Sequence, residues 1–494
     1  MPRIPLPIGF DFYQTESAPF SNKRCINWIP VVSESEAISS QALFQPPGLK
    51  QLVDSGFIGN RGSVVADGVP YFVSGNTLFS MSESNVVTSH GTISGSGNVS
   101  IAINGKNVDT GSQFIVIVVP GGDAYAFATV TNVLTQITDP DFLTSDTVVF
   151  KDGFFIFSAS DGAVFFISLT NDPLSYDALD RGTAEINADR IVAVHVNHNE
   201  LFVPGRDTIE LFQNIVGSGA DFPFQRINGA NIQKGVHAKF SIVEFDNTFC
   251  FVGGGLNELP AVWKITGSSS ASKISTNAID TEIQKFNEAE IEASFATTYA
   301  RHGQFLALFT FESTRIPSRT FVFNATASAY LQQNVWFELQ TGVEDNRFRV
   351  QSIVQAYGKL IVGDQSTGII GELDTDTLDY YGEEIFRQST TSPFSNNGTA
   401  LFAGEFEATL QSGVGLTTGQ GSDPQIRMKF SDDGGRTLKG PFRRSIGKLG
   451  EYGHRSVWRQ QGRFPVARTI ELTITDKVRA NLIRLAATAE VGSQ

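Results

Sequence analysis

The sequence predicts an all-β protein: a β-propeller of six or seven blades, preceded by an extended N-terminal arm and followed by a C-terminal β-sandwich. Three observations carry this expectation. Apolar and polar residues alternate with period two along most of the chain, which is the pattern of half-buried strands. A strand-turn-strand unit recurs at roughly 40–55 residues, the spacing of propeller blades. The composition disfavours helix, with 47 Gly in 494 residues and only 18% charged residues, below the ~25% usual in soluble domains.

Residues 1–55 do not carry the repeat. Pro2, Pro5, Pro7, Pro19, Pro30, Pro46 and Pro47 interrupt regular ladders, while Phe10, Phe12, Trp28, Ile29 and Phe44 are spaced as isolated anchors. A flexible linker would not hold so many large apolar groups. An extended arm that packs on its own domain or on a neighbour is expected.

Residues 56–380 carry the repeat. Pairs of small, polar or turn-forming residues precede an alternating strand, a turn and a second strand. The pairs are Asp67-Gly68, Gly111-Ser112, Asp152-Gly153, His198-Asn199, Asp246-Asn247, His302-Gly303 and Tyr357-Gly358. A single four-stranded sheet cannot bury both faces, and radial stacking of such sheets does so while leaving only short edges. One stretch, residues 277–294, has helical spacing, with Ile279, Ile283, Phe286 and Ile291 in phase.

Residues 381–494 change character. Six short strands are expected at 400–410, 425–430, 440–446, 456–464, 467–475 and 480–487, which suggests a β-sandwich. The charge also changes sign. Residues 421–494 hold 14 Lys and Arg against 7 Asp and Glu, whereas the first 420 residues hold 23 basic and 44 acidic groups. An acidic body with a basic end points to at least two functional surfaces.

Several classes are disfavoured. No apolar run reaches the ~18 residues of a membrane span, so no membrane anchor is expected. The start, MPRIPLPIGFDFYQ, does not read as a signal peptide, and the two cysteines, Cys25 and Cys250, exclude a disulfide framework or a cysteine-rich zinc site. Synthesis in a reducing cytoplasm is expected. No serine sits in G-x-S-x-G, and neither a Walker A lysine nor a strand-to-helix G-x-G-x-x-G is present. His195 and His198 lie three apart in a strand-and-turn segment and would face opposite sides, so no metal site is expected there. Catalytic residues, cofactors and metals are therefore all expected to be absent.

Two constellations remain. Ser431, Asp433, Gly435 and Thr437 fit the Asp-box pattern S-x-D-x-G-x-T, in which the carboxylate bonds turn amides and makes a stiff structural hairpin. The basic segment interleaves arginines with aromatics, and Arg443, Arg444, Arg455, Trp458, Arg459 and Arg463 are the residues expected at a protein interface. Contact with nucleic acid and a plain solvated surface are the alternative readings of that composition.

The order of motifs resembles the packaged-DNA stabilisation proteins of short-tailed phages (podoviruses), the tail accessory factors that form the tail nozzle below the head-to-tail adaptor. Phe44-Gln45-Pro46-Pro47-Gly48-Leu49 resembles the family's entry to its propeller. The middle of the chain carries LTNDPLSYDALD (169–180), Ala188-Asp189-Arg190-Ile191-Val192, Asp207-Thr208-Ile209-Glu210 and Gln233-Lys234-Gly235. Residues 430–464, with S-D-D-G-G followed by W-R-x-x-G-R, form the most specific stretch.

The resemblance implies a non-enzymatic virion protein. Six copies would form a homohexameric ring that continues the DNA channel and helps to retain packaged DNA. The ring would dock on the head-to-tail adaptor, and a tail needle or plug would close its far end, with tail fibres or spikes as further partners. DNA would pass without sequence-specific binding, and an acidic body suits such a channel because it repels phosphate. The protein would sit in the virion tail after assembly in the host bacterial cytoplasm. Two other readings compete: a receptor- or glycan-binding tail propeller, with depolymerase activity as its extreme, and a lectin-like bacterial propeller.

Overall fold

The recurring residue pairs are tight turns of closely related geometry. In the computed structural model, which describes residues 3–107, 111–187, 189–215, 222–396 and 398–491, the first residue of six pairs adopts the left-handed conformation. Asp67, Asp152, His198, Asp246, His302 and Tyr357 have φ between 49° and 54°. In five of the pairs the second residue also has positive φ, the geometry of the two-residue hairpin that matches strand twist. Each pair joins the first and second strands of a sheet, as Asp67-Gly68 joins Asn60–Ala66 to Val69–Ser74. Gly111-Ser112 differs, because it lies in a longer connection between Ser100–Ile103 and Phe114–Val118, and residues 108–110 of that connection lie outside the described residues.

Seven such sheets occur among the described residues, at 60–92, 100–136, 145–183, 195–232, 235–273, 295–339 and 350–374. We call them blades 1 to 7. Six of the seven seams between neighbouring blades hold their own apolar cluster, and the seam between blades 6 and 7 belongs to a larger one. Tyr71, Val73, Ile115 and Phe127 fill the seam between blades 1 and 2, and Val116, Phe155, Phe157 and Phe166 that between blades 2 and 3. Phe72, Phe79, Ile361 and Ile370 join blade 7 to blade 1, so the ring closes. The 40 phenylalanines of the chain explain this architecture, because flat rings fill wedge-shaped seams by stacking and edge contacts. Phe157 and Phe166 stack at 5.1 Å, and Phe245 and Phe305 at 4.6 Å.

The N-terminal segment packs on its own chain and contributes strands to both units. Strand Gly48–Asp54 pairs antiparallel with Ile369–Asp374 as the fourth strand of blade 7, and Tyr380 bridges to Leu49 on its other side. The last blade is thus built from both ends of the propeller sequence. Strand Asn22–Ile26 is spliced between Trp336–Leu339 of blade 6 and Arg387–Thr390, which leads into the C-terminal unit. Arg3–Leu6 pairs with Leu482–Val491. The reason is that most of the expected anchors are core: Phe10, Phe12 and Trp28 are at most 4% exposed and Ile29 is 8% exposed, whereas Phe44 is 43% exposed.

The helical stretch is two short helices, Asn277–Ile283 and Glu288–Glu292. A capping box, with Asn287 bonding the Glu290 amide and Glu290 bonding the Asn287 amide, starts the second helix and breaks the first. Ile279, Ile283, Phe286 and Ile291 all face the core between blades 5 and 6. A third helix, Ala325–Leu331, connects two strands of blade 6 and had no periodic signal.

The C-terminal strands form the two faces of a sandwich. One sheet runs Ile29–Val32, Gln41–Phe44, Leu482–Val491, Leu401–Leu410 and Ser456–Phe464. The other continues from blade 6 through Asn22–Ile26 and Arg387–Thr390 to Ala467–Ile474, Gln425–Ser431 and Lys439–Ser445. One apolar cluster, including Trp28, Phe337, Val362, Phe406, Trp458 and Ile470, is shared by blades 6 and 7 and the sandwich. The two units are therefore fused through a common core. Cys25 and Cys250 are both buried free thiols in different clusters, and burial pushes Cys250 up to about 12.

Candidate functional site

The basic residues gather where the two sandwich sheets meet. Lys439–Ser445 ends one sheet and Ser456–Phe464 ends the other, and each has a single strand partner. Side chains rather than a ladder stitch these two edges together. Arg444 Nε donates to the Val457 carbonyl at 2.8 Å, and Trp458 Nε1 donates to the Phe442 carbonyl at 2.9 Å.

The six expected interface residues separate into three groups. Arg443 and Arg463 are exposed and form no ion pair among the described residues, and Arg459 is 74% exposed with Glu405 3.8 Å away. Arg444 and Arg455 are exposed but engaged: Arg444 on the Val457 carbonyl, Arg455 on Glu407, which also binds Arg3. Trp458 is a correction. It has no exposed surface and packs with Phe406 and Phe464 inside the sandwich. The alternation of Ser456–Phe464 turns its ring inward while Arg459 points to solvent.

The Asp-box residues make a closed local network. Ser431 Oγ donates to Asp433 Oδ1 at 2.7 Å, Gly435 N–H donates to Ser431 Oγ at 2.8 Å and Thr437 N–H donates to Asp433 Oδ1 at 2.9 Å. The Thr437 hydroxyl also donates to Asp433, and these bonds hold its carboxyl well below the usual range. Gly434 needs its missing side chain: its φ is 73° and a Cβ there would lie 2.5 Å from Pro19.

Sequence reading missed the group beside this hairpin. Arg468 is 2% exposed and forks onto Asp432, at 2.6 Å and 3.0 Å. Its guanidinium lies 4.1 Å from the Phe430 ring centre and 4.7 Å from that of Phe464. A signal existed. Arg468 is in phase with Ile470, Leu472 and Ile474 on the inward face of its strand, and a cation in an inward position demands a partner.

Three of the middle motifs converge on one place. The Asp189 carboxylate accepts the backbone N–H groups of Arg206, Asp207 and Thr208 at 2.8, 2.7 and 2.9 Å. A Cβ on Gly235 would lie 2.1 Å from the Arg206 backbone. Glu210 pairs with Arg226 at 2.7 Å and accepts the Ile186 amide at 2.7 Å. These residues clamp the turn between two strands of blade 4 and the entry to blade 5. Ala188 lies outside the described residues.

His195 and His198 do not converge. His198 occupies a turn beside Asn197, whereas the His195 ring lies edge-on to Phe249 at 4.6 Å, with its Nε2 buried and unbonded among the described residues. No three His, Cys, Asp or Glu side chains come together as a metal-ligand set among the described residues. Burial pushes His195 down to about 4. Between that value and the ordinary His value near 6.5, the unfolded chain binds a proton that the folded chain refuses. Stability is therefore expected to fall as the pH drops through this window, by on the order of 2–3 kcal/mol at pH 4. Urea unfolding at pH 7 and pH 4.5 checks this, and an unchanged pH slope in His195→Phe would refute it.

Two family models match this chain. One, described as "Bacteriophage P22 Gp10, beta-propeller", matches residues 2–378, and one described as "Bacteriophage P22 Gp10, beta-sandwich" matches residues 387–490. The tail hub protein gp10 of Salmonella phage P22 is 24% identical over 408 residues, covering 79% of this chain and 81% of that one. Among solved structures, a chain of the mitotic checkpoint complex is 9% identical with a TM-score of 0.39, covering 69% of this chain and 96% of that chain. The computationally designed Ika8 protein is 13% identical with a TM-score of 0.34, covering 66% of this chain and 99% of that chain.

Proposed function

The chain belongs to the bacteriophage P22 Gp10 family, and from that premise we propose that it forms the hexameric tail nozzle of a short-tailed phage. As a member of that family it is a structural protein of a phage tail. In the proposed role, six copies extend the DNA channel below the head-to-tail adaptor and help to retain packaged DNA. The far end receives a tail needle or plug, and fibres or spikes attach around it. Assembly takes place in the host bacterial cytoplasm, and the mature protein resides in the virion tail.

The observation that carries this reading is the two-part match along nearly the whole chain. The physical properties support it. Closed blades and a shared core give a rigid building block with few mobile parts. The −21 balance of residues 1–420 repels DNA phosphate, while the +7 balance of residues 421–494 provides a second, attractive surface. We divide the roles accordingly, with the propeller at 56–380 as the body and the sandwich at 381–494 as the basic docking unit. The proposed role needs no catalytic residue, cofactor or metal, and the Asp-box hairpin acts in it as a structural brace.

The test is averaged cryo-electron microscopy of purified DNA-filled particles in which this chain carries a C-terminal tag. The expected result is a six-fold ring of label on the tail axis below the adaptor. Label at the tail periphery would overturn the nozzle and favour host-glycan binding. Absence of label from the particle would overturn both.

A further inference from the structure

We propose that neighbouring copies of this chain join through opposite flanks of the sandwich. The acidic hairpin 29–44 of one copy meets the basic edge formed by Lys439–Ser445 and Ser456–Phe464 of the next. This inference rests on the ring reading above and names its contact.

The sheet that begins with Ile29–Val32 and ends with Ser456–Phe464 has an unpaired strand at each end. Five strands spaced ~4.8 Å apart put those edges roughly 19 Å from each other, on opposite flanks of the sandwich. The chain itself caps both edges, with Asn324 Nδ2 donating to the Pro30 carbonyl at 2.9 Å and Arg444 Nε to the Val457 carbonyl at 2.8 Å, so a second chain meets them through exposed side chains.

The two edges are opposite in charge and alike in carrying apolar surface. The hairpin tip reads Ser33-Glu34-Ser35-Glu36-Ala37-Ile38. Glu34 and Glu36 are exposed and form no ion pair among the described residues, and Ile38 is 70% exposed. Beside them opens an apolar cavity of about 560 Å³ lined by Val31, Ala37, Ile38, Ala42, Phe44 and Ile483. At the other edge, Arg443 and Arg463 stand unpaired among the described residues and Arg459 is 74% exposed. Leu438 and Phe442, 49% and 43% exposed, supply the apolar counterpart.

Charge decides which edges meet. Like edges repel, so a two-fold contact of one edge with itself is disfavoured. Unlike edges attract, and two different patches on one subunit make a head-to-tail contact, which closes into a ring when the rotation permits. The occupant of the basic edge is therefore a second copy of this chain.

Disulfide trapping tests the contact, and the buried Cys25 and Cys250 leave a clean background. Particles carrying Glu36→Cys together with Arg463→Cys are oxidised and run without reductant. The expected result is a ladder of covalent oligomers ending in a closed ring, with monomer alone from either single variant. A second measurement does not depend on cysteine geometry. Arg459→Glu with Arg463→Glu is expected to lower incorporation into particles about tenfold, and adding Glu34→Arg with Glu36→Arg in the same chain to restore it. Full incorporation of the reversed variant, or monomer alone from the double-cysteine chain on the tail axis, overturns this contact and leaves the nozzle standing. Absence of the wild-type chain from the tail axis overturns both.

Discussion

Arg468→Met is expected to lower the unfolding free energy of the sandwich by about 3–5 kcal/mol, the range for breaking a buried ion pair by removing one partner. The loss has three sources, one of them the Gln461 carbonyl, to which Arg468 Nη1 donates at 2.8 Å. Asp432, with its side chain 14% exposed, would keep only Lys439 at 3.2 Å. The faces of Phe430 and Phe464 would lose the planar cation that lies against them. Arg468→Lys should recover only part of the loss, because an ammonium cannot fork onto both carboxylate oxygens. Arg468→Met with Asp432→Asn should be milder than Arg468→Met alone, since most of the damage is the stranded carboxylate. Urea unfolding followed by tryptophan fluorescence reads this out, because Trp458 packs in the same cluster. A single variant within ~0.5 kcal/mol of the wild type, the range of ordinary surface changes, would refute the anchor.

Trp28→Ala is expected to cost about 3–5 kcal/mol and to loosen both units together. Trp28 has no exposed surface and its Nε1 donates to the Ala480 carbonyl at 2.8 Å. It sits in the cluster shared by blades 6 and 7 and the sandwich. Truncation leaves a cavity between strands that are held on several sides, so collapse is limited, and it orphans a buried carbonyl. Trp28→Phe should cost less, because it keeps most of the apolar volume and loses mainly the donor. The discriminating measurement is hydrogen exchange. Amides of blade 7 and of the strand Ala467–Ile474 should both exchange faster in Trp28→Ala. Faster exchange confined to one of them would contradict a common core.

The blade repeat was legible because its information is local. A two-residue hairpin needs positive φ at its central residues, and Asp at the first position or Gly at the second marks that need in the sequence. Period-two alternation marks the flanking strands whatever they pack against. The sandwich strands were legible for the same reason, and Leu401–Leu410, Gln425–Ser431 and Ser456–Phe464 lie within one or two residues of the expected bounds. Ala325–Leu331 was not legible, since a seven-residue helix offers too few turns for a period to show.

The candidate surface was legible in composition and only partly in position. Arginine enrichment located the basic edge, but enrichment does not say which side chains point inward. Trp458 and Arg468 are buried, and Arg459 is exposed, because pleat phase and the opposing sheet assign faces. The acidic hairpin at Glu34 and Glu36 gained meaning only when the fold set it at the far edge of the same sheet.

The sequence by itself determined the strand content, the propeller-and-sandwich class, the turn chemistry and the split of charge between body and end. These follow from neighbours along the chain, where alternation and backbone preference act. Tertiary structure alone decided that Gly48–Asp54 closes blade 7, that Asn22–Ile26 joins the propeller to the sandwich and that Arg468 meets Asp432. Those pairings bring together residues 36 to more than 300 positions apart. Their physical reason is the burial of a continuous apolar core, which selects among strands that look alike in isolation.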